Sequence, residues 1–268
     1  LLGIAAAVAP ASAQTTPDTG RAVVLIVTDG FRRQERLGSA GSALNTEELG
    51  GVDDTALVRR SSLVGDAAVV TNGLKFSYPG DNVMLTGRAD PRIDRNDFGP
   101  NPNVTMFEWL ATQPGFHGHV AAFGTWDAFA PIFNRARAQM PVHAGWELPF
   151  PGSTDPPRVL LESLYATTTR IWPGMPYDAV LKSVVMECLR TERPRELYLG
   201  FGETDEWAHS RRYDRYLATA YHVDAFIRDL WNAMQATPEY AGRTTLINST
   251  DHGRGSELEG WTDHGKDV

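Results

Sequence analysis

The sequence predicts a three-layer α/β/α fold around a largely parallel central sheet, and two observations carry that expectation. Short apolar, β-branched segments recur along the chain, and helical patterns fill the intervals between them. No segment repeats at the 20–50 residue period of a solenoid or propeller. At 268 residues the chain can bury one large core, so a single domain over residues 20–268 is the simplest organisation.

The first strand is the continuous run RAVVLIVTDG (Arg21–Gly30), which reads as buried on both faces and ends in an Asp-Gly turn. In LKFSYPGDNVMLTGRADP (Leu74–Pro91), Ser77 precedes a Tyr-Pro-Gly turn and then a short helical DNVMLTG. Asn103–Gln113 reads as a helix with Asn103 as its cap. HVAAFG (His119–Gly124) is a second strand, and the proline-rich Pro149–Pro157 reads as a surface loop. Met175–Glu192 is a helix ended by Pro194, and ELYLGFG (Glu196–Gly202) is a third strand.

The longest helix runs from Arg211 to about Gln235. Tyr216, Leu217, Ala220, Val223, Phe226, Ile227, Leu230, Trp231 and Met234 recur there at spacings of three and four, which predicts one buried face. RTTLINST (Arg243–Thr250) is the last strand.

The ends of the chain speak to its destination. LLGIAAAVAPASAQ reads as the back half of an apolar leader with Ala11-Ser12-Ala13 as its cleavage site, so residues 1–13 are expected to be a signal peptide remnant. That predicts an exported protein, periplasmic or secreted. Cys188 is the one cysteine and predicts no disulfide. Past the leader no run of 18 apolar residues remains, so no membrane span is expected. The chain opens without a methionine and stops four residues after His264, so it reads as clipped at both ends. A formal charge of −8 argues against a nucleic-acid polymer as partner. It leaves room for a small anionic substrate, because a bound cation can dominate the local field.

In parallel sheets, ligands gather beyond the carboxyl ends of the strands. The first strand delivers Asp29, the third delivers Asp205 and His209 within ETDEWAH, and the last delivers Asp251 and His252. His264 follows in a loop, within a second copy, beginning at Thr262, of the tetrapeptide Thr-Asp-His-Gly first met at Thr250. These carboxylates and imidazoles are too many for one tetrahedral zinc and suit two cations. Paired cations of that kind stabilise both the attacking and the leaving oxygen of a displacement at phosphorus. Ser77 offers a nucleophile. A serine opening a helix is also an ordinary cap, yet a helix N-terminus favours a phosphoryl anion and a metal lowers a hydroxyl's pKa.

The order Asp29, Ser77-Tyr-Pro, Leu85-Thr-Gly, Asp205-x-x-x-His209, Asp251-His252-Gly and His264 resembles the alkaline phosphatase superfamily, in particular its type I phosphodiesterase/nucleotide pyrophosphatase branch. The resemblance covers about residues 22–265. That branch reads Thr-Phe-Pro-Asn before a closing Thr-Gly, so Ser77 and Gly80 are departures, while the ten-residue step from Ser77 to Gly87 is kept. The resemblance implies two divalent ions, of zinc type. Asp205, His209 and His264 would hold one; Asp29, Asp251 and His252 would hold the other, which would also bind Ser77. It implies a phosphoserine intermediate, and an Asn donor to a non-bridging oxygen, for which Asn96 is the candidate and Asn101 and Asn103 are competitors.

The substrate implied is a small-molecule phosphate ester, diester or monoester. Arg32, Arg88 and Arg254 are the cations near the motifs that a monoester's extra charge would call for. A sulfatase of the same superfamily is the alternative enzyme, although Asp81 stands where its C/S-x-P-x-R signature asks for arginine. A non-catalytic secreted protein keeping the fold is the alternative outside enzymes. Asp263 is expected to be structural or to support His264, and Trp126 to pack in the core.

Overall fold

β1 (Ala22–Thr28) is buried along almost its whole length, as its unbroken apolar run requires. The computed structural model describes residues 20–31, 70, 72–255 and 260–265, so the expectations for the leader and for Arg32 lie outside the described residues. Beside β1 the sheet is built from β2 (Val120–Gly124), β3 (Val142–Ala144), β4 (Glu196–Phe201) and β5 (Thr244–Ser249). Their spatial order is β3-β2-β4-β1-β5, and every neighbouring pair is parallel.

Register decides where the chemistry falls. Thr28 lies opposite Phe201, and Val27 opposite Ser249, so β1, β4 and β5 stop at one edge. The amide of Asp29 still donates to Phe201 O at 2.9 Å, which carries the pairing one residue past the strand and fixes that aspartate.

Seven helices cover the sheet: α1 (Ser77–Thr86), α2 (Met106–Ala111), α3 (Phe129–Ile132), α4 (Pro156–Thr167), α5 (Asp178–Thr191), α6 (Glu203–His209) and α7 (Tyr213–Ala236) among the described residues. Strand side chains alternate between two cores. Val24, Ile26, Leu197 and Leu199 pack with Leu161 of α4, Val184 of α5 and Leu230 of α7. Leu25, Val27 and Tyr198 pack on the other face with Leu85 of α1, Phe107 of α2 and Ile132 of α3. Each buried Val, Leu or Ile contributes about 1.5–3 kcal/mol by leaving water. The result is a three-layer α/β/α architecture around a parallel sheet. Among the described residues no helix is long and apolar enough to cross a membrane.

Local readings needed correction in five places. The Tyr78-Pro79-Gly80 turn is instead the first turn of α1, where a proline's missing N–H costs no helical bond. Asn103 caps nothing: α2 starts at Met106 under a capping box between Thr105 and Glu108, while Asn103 hydrogen-bonds Asn82 and Asp90. The loop read over Pro149–Pro157 ends at Asp155, because Pro156 and Pro157 open α4. On α7, Trp231 lies 41% exposed while most of its apolar companions are buried. β3, short and centred on His143, was not foreseen.

Candidate active site

Each functional side chain sits one to eight residues beyond a strand of the central sheet, apart from Ser77 and His264. Asp29 follows β1. α6 begins two residues after β4 and, at i, i+4 spacing, turns Asp205 and His209 to one face. Asp251 and His252 follow β5. His264 is delivered by a two-stranded antiparallel ribbon, β6 (Gly253–Arg254) with β7 (His264–Gly265), in which Arg254 lies opposite His264. It therefore comes from a strand rather than the expected loop, and Asp263 beside it is exposed.

The two halves of the cluster share Asp205. His209 Nε2 lies 3.0 Å from Asp205 Oδ2 and 3.1 Å from His264 Nε2, while His264 Nε2 is 3.7 Å from Asp205 Oδ1. This half opens to solvent. In the buried half, His252 Nε2 lies 3.2 Å from Asp29 Oδ1, 3.6 Å from Asp251 Oδ2 and 3.8 Å from Asp205 Oδ1. Two groups of donor atoms converge closely enough to hold a cation: Asp205 with His209 and His264, and Asp29 with Asp205 and His252. Asp251 faces the second group through His252.

The electrostatics follow from this crowding of carboxylates. Burial and the neighbouring Asp251 and Asp205 raise the Asp29 carboxyl well above the ordinary range. Burial alone would lower the His252 imidazolium, but Asp251, Asp29 and Asp205 outweigh it and push its pKa up to about 10. Burial also opposes the charge on Asp205, yet hydrogen bonds from His209 and His264, with Arg254 beside it, hold that carboxyl well below its usual value. A proton on His252 is one answer to this concentration of negative charge. A divalent cation held by these donors is another.

Two further details fit a metal. His252 Nδ1 lies 2.9 Å from Gly253 O, the contact that fixes a ligand tautomer and leaves Nε2 free for the cluster. Asp251 Oδ2 is fully buried with no hydrogen-bond partner among the described residues, although its Oδ1 accepts from the Gly30 amide at 3.1 Å. An orphaned carboxylate oxygen aimed at an imidazole nitrogen is costly unless a cation comes between them.

Ser77 is the first residue of α1, and its Oγ lies 3.2 Å from His252 Nε2 and 3.5 Å from Asp29 Oδ1. Its position depends on Gly80. A Cβ there would sit 2.3 Å from the carbonyl oxygen of Asp251, so the backbone of α1 rests directly on the segment that carries Asp251 and His252. Position 80 thus has no room for a side chain. At the far end Gly87 adopts φ 75° and returns its amide to Val83 O, which closes the helix.

Asn96 docks beside Ser77: its Oδ1 accepts from the Tyr78 amide at 3.1 Å. Asn101 and Asn103 are buried against Asn82, away from this role. Arg88 donates to Asn103. Asp81, one turn after Ser77, accepts from Tyr198 Oη at 2.8 Å. Trp126 packs edge-on against Phe129, as expected of a core residue. Sequence reasoning missed Asp178, whose Oδ1 accepts from the Gly202 and Glu203 amides at 3.2 and 3.4 Å and so holds the start of α6. Its one signal was an aspartate in the first turn of α5.

No family model and no curated protein matches the sequence. Solved structures do match. Alkaline phosphatase from the Antarctic bacterium TAB5 aligns over 93% of this chain and 87% of its own, with 12% identity and a TM-score of 0.46. Ps i-CgsB, solved in complex with k-i-k-neocarrahexaose, aligns over 92% of this chain at 16% identity and a TM-score of 0.50, and this chain spans 62% of its length. The C-terminal periplasmic domain of EcEptC from Escherichia coli aligns over 92% of this chain and 67% of its own, with 10% identity and a TM-score of 0.47. Identities this low make the likeness one of fold.

Proposed function

We propose that this chain is a metal-dependent hydrolase of phosphate esters that works through a phosphoserine on Ser77. The observation that supports it is the approach of Ser77 Oγ to within 3.2 Å of His252 Nε2, beside the carboxylates of Asp29, Asp205 and Asp251 and two groups of donors able to hold a cation. Asp205, His209 and His264 would hold one divalent ion. Asp29, Asp251 and His252 would hold the other, against Ser77, with Asp205 within reach of both. The mixed nitrogen and oxygen donors suit zinc. Bound there, the ions would lower the pKa of the Ser77 hydroxyl and offset the negative charge of the phosphoryl group.

The chain's own residues supply orientation. Gly80 seats α1 on Asp251 and aims Ser77 into the cluster. Asn96, with its oxygen committed to Tyr78 N, would donate from its amide N–H groups to a non-bridging phosphoryl oxygen. Ser77 Oγ bonds to phosphorus as the ester oxygen departs, and water then cleaves the phosphoserine and restores the hydroxyl. Asp81 favours this over sulfate-ester chemistry: a fully buried carboxylate hydrogen-bonded to Tyr198 occupies the place of the sulfatase arginine. A small-molecule phosphodiester or phosphomonoester is the proposed substrate. The proposed export rests on the Ala-Ser-Ala pattern near the N-terminus.

The test is hydrolysis of bis(p-nitrophenyl) phosphate and p-nitrophenyl phosphate by zinc-loaded protein, with Ser77→Ala alongside. Turnover is expected to fall by roughly three orders of magnitude or more in the variant. Full activity in Ser77→Ala overturns the nucleophile, and inactivity of metal-loaded wild type on both esters overturns the enzyme reading.

A further inference from the structure

Arg254 is the largest fully buried side chain described, with no exposed surface. A buried guanidinium needs acceptors for its donors and a negative partner, and it finds both among the segments that bear the ligands. Its Nε donates to Gly30 O at 3.0 Å, next to Asp29. Its Nη1 reaches Trp261 O at 3.5 Å, three residues before His264. Its Nη2 donates to Asp205 O at 3.1 Å and also to Asp205 Oδ1. Its own backbone follows His252 by two residues and pairs with His264 across the ribbon.

One side chain therefore touches the end of β1, the first turn of α6 and the approach to His264, and it is itself anchored to the segment of Asp251 and His252. Gly30 records the tightness of this arrangement: at φ 57°, a Cβ there would lie 2.7 Å from Arg254 Nη2 and 2.8 Å from Asp205 Oδ1.

We propose that Arg254 is a positioning residue that holds the two ligand groups in register, rather than a cation that binds the substrate's phosphoryl group. The proposal rests on the metal-dependent reading of the site. The planar fork fixes the orientation of the Asp205 carboxylate, leaving Oδ2 to the His209 side, and its charge offsets one of the three carboxylates before any cation binds. Each nitrogen has an acceptor within the protein and the side chain is fully buried, so the guanidinium offers no surface to a substrate.

Arg254→Lys and Arg254→Met test this. Lysine keeps the buried charge and stem but not the fork, so it is the variant expected to keep the fold where methionine fails, as checked by circular dichroism. Zinc content after dialysis and zinc affinity by chelator competition are measured with kcat and KM on bis(p-nitrophenyl) phosphate. In Arg254→Lys, zinc affinity is expected to fall by about 10–100-fold, as for loss of other groups that orient ligands. kcat should fall with it, and KM at saturating zinc should stay within about twofold, as for a residue that makes no contact with the substrate. Unchanged zinc affinity with a KM raised tenfold or more overturns the proposal and makes Arg254 a substrate-binding residue. Wild type that binds no zinc overturns the metal-dependent reading itself, whatever the variants do.

Discussion

Two clusters of buried carboxylates lie at the same edge of the sheet, and they use their oxygens in opposite ways. Asp29, Asp205 and Asp251 point their oxygens inward, at each other and at His252. Asp178 and Glu203 point theirs outward, at helix N-termini: Asp178 Oδ1 accepts the amides of Gly202 and Glu203, and Glu203 Oε2 accepts the amide of Asp178 at 2.8 Å. Each helix's first acidic residue thus caps the other helix, where peptide dipoles already favour negative charge. Lys182 lies near, over the rings of Phe201 and Phe226. Each cluster leaves one buried oxygen without a hydrogen bond among the described residues, Asp251 Oδ2 and Asp178 Oδ2. Acidic content and burial do not separate the two. Convergence does: the carboxylates of the first cluster meet around His252, where their lone pairs could hold a cation, while Asp178 Oδ1 and Glu203 Oε2 are each turned onto N–H groups of the fold.

The largest break of that contrast is Asp251→Asn. It keeps the size and the acceptor for Gly30 N but removes the converging charge. Zinc affinity and turnover are each expected to drop by about 100-fold or more, above the range for groups that only orient ligands. Elemental analysis with kinetics checks it, and an effect below tenfold would mean that convergence is not what recruits the cation.

Gly80→Ala sharpens the same point without touching a carboxylate. The added methyl would push α1 off the Asp251 backbone, and forcing a side chain into a packed site costs typically about 1–3 kcal/mol. Turnover should fall by about 10–100-fold through misplacement of Ser77. A thermal melt and kcat on the same preparation test this, and a variant with wild-type turnover would show that the contact is not what aims Ser77.

The smallest expected effect comes from the diverging cluster. Burial, with Glu203 adding to it, raises the Asp178 pKa to about 7, against 3.8 for an exposed aspartate. The folded state therefore keeps a proton that the unfolded chain releases, and stability contributed at this site declines as pH rises from about 4 to about 7. Asp178→Asn keeps an acceptor for the α6 amides and removes the charge. It should match wild type near pH 4 and be more stable above pH 7, by on the order of 2 kcal/mol. Denaturant melts across that range decide it. Loss of stability in the variant at pH 8 would show that the caps need a full negative charge.

The fold was legible where one periodicity dominates over a long stretch. The runs of β1, β2, β4 and β5 and the apolar face of α7 all stand out in the chain. Legibility failed at short elements and at boundaries. β3 has only Val142, His143 and Ala144 to announce it, and its pairing with β2 is non-local. The start of α2 was misplaced because Asn103 and Thr105 are both competent caps, and only the reciprocal bonds with Glu108 choose between them. The opening of α4 carries its signal in Pro156-Pro157, a composition that suits a loop equally well.

What the sequence determined by itself is the alternation of strands and helices and the position of Asp29, Asp205, Asp251 and His252 just past strand ends, because periodicity and turn chemistry are local properties. Tertiary structure alone decided which oxygens converge and which diverge. It also decided why position 80 has room for no side chain, and that Arg254 binds the ligand segments together. Those outcomes depend on register and on contacts between residues as far apart as Gly30 and Arg254, 224 positions along the chain, and no local pattern encodes them.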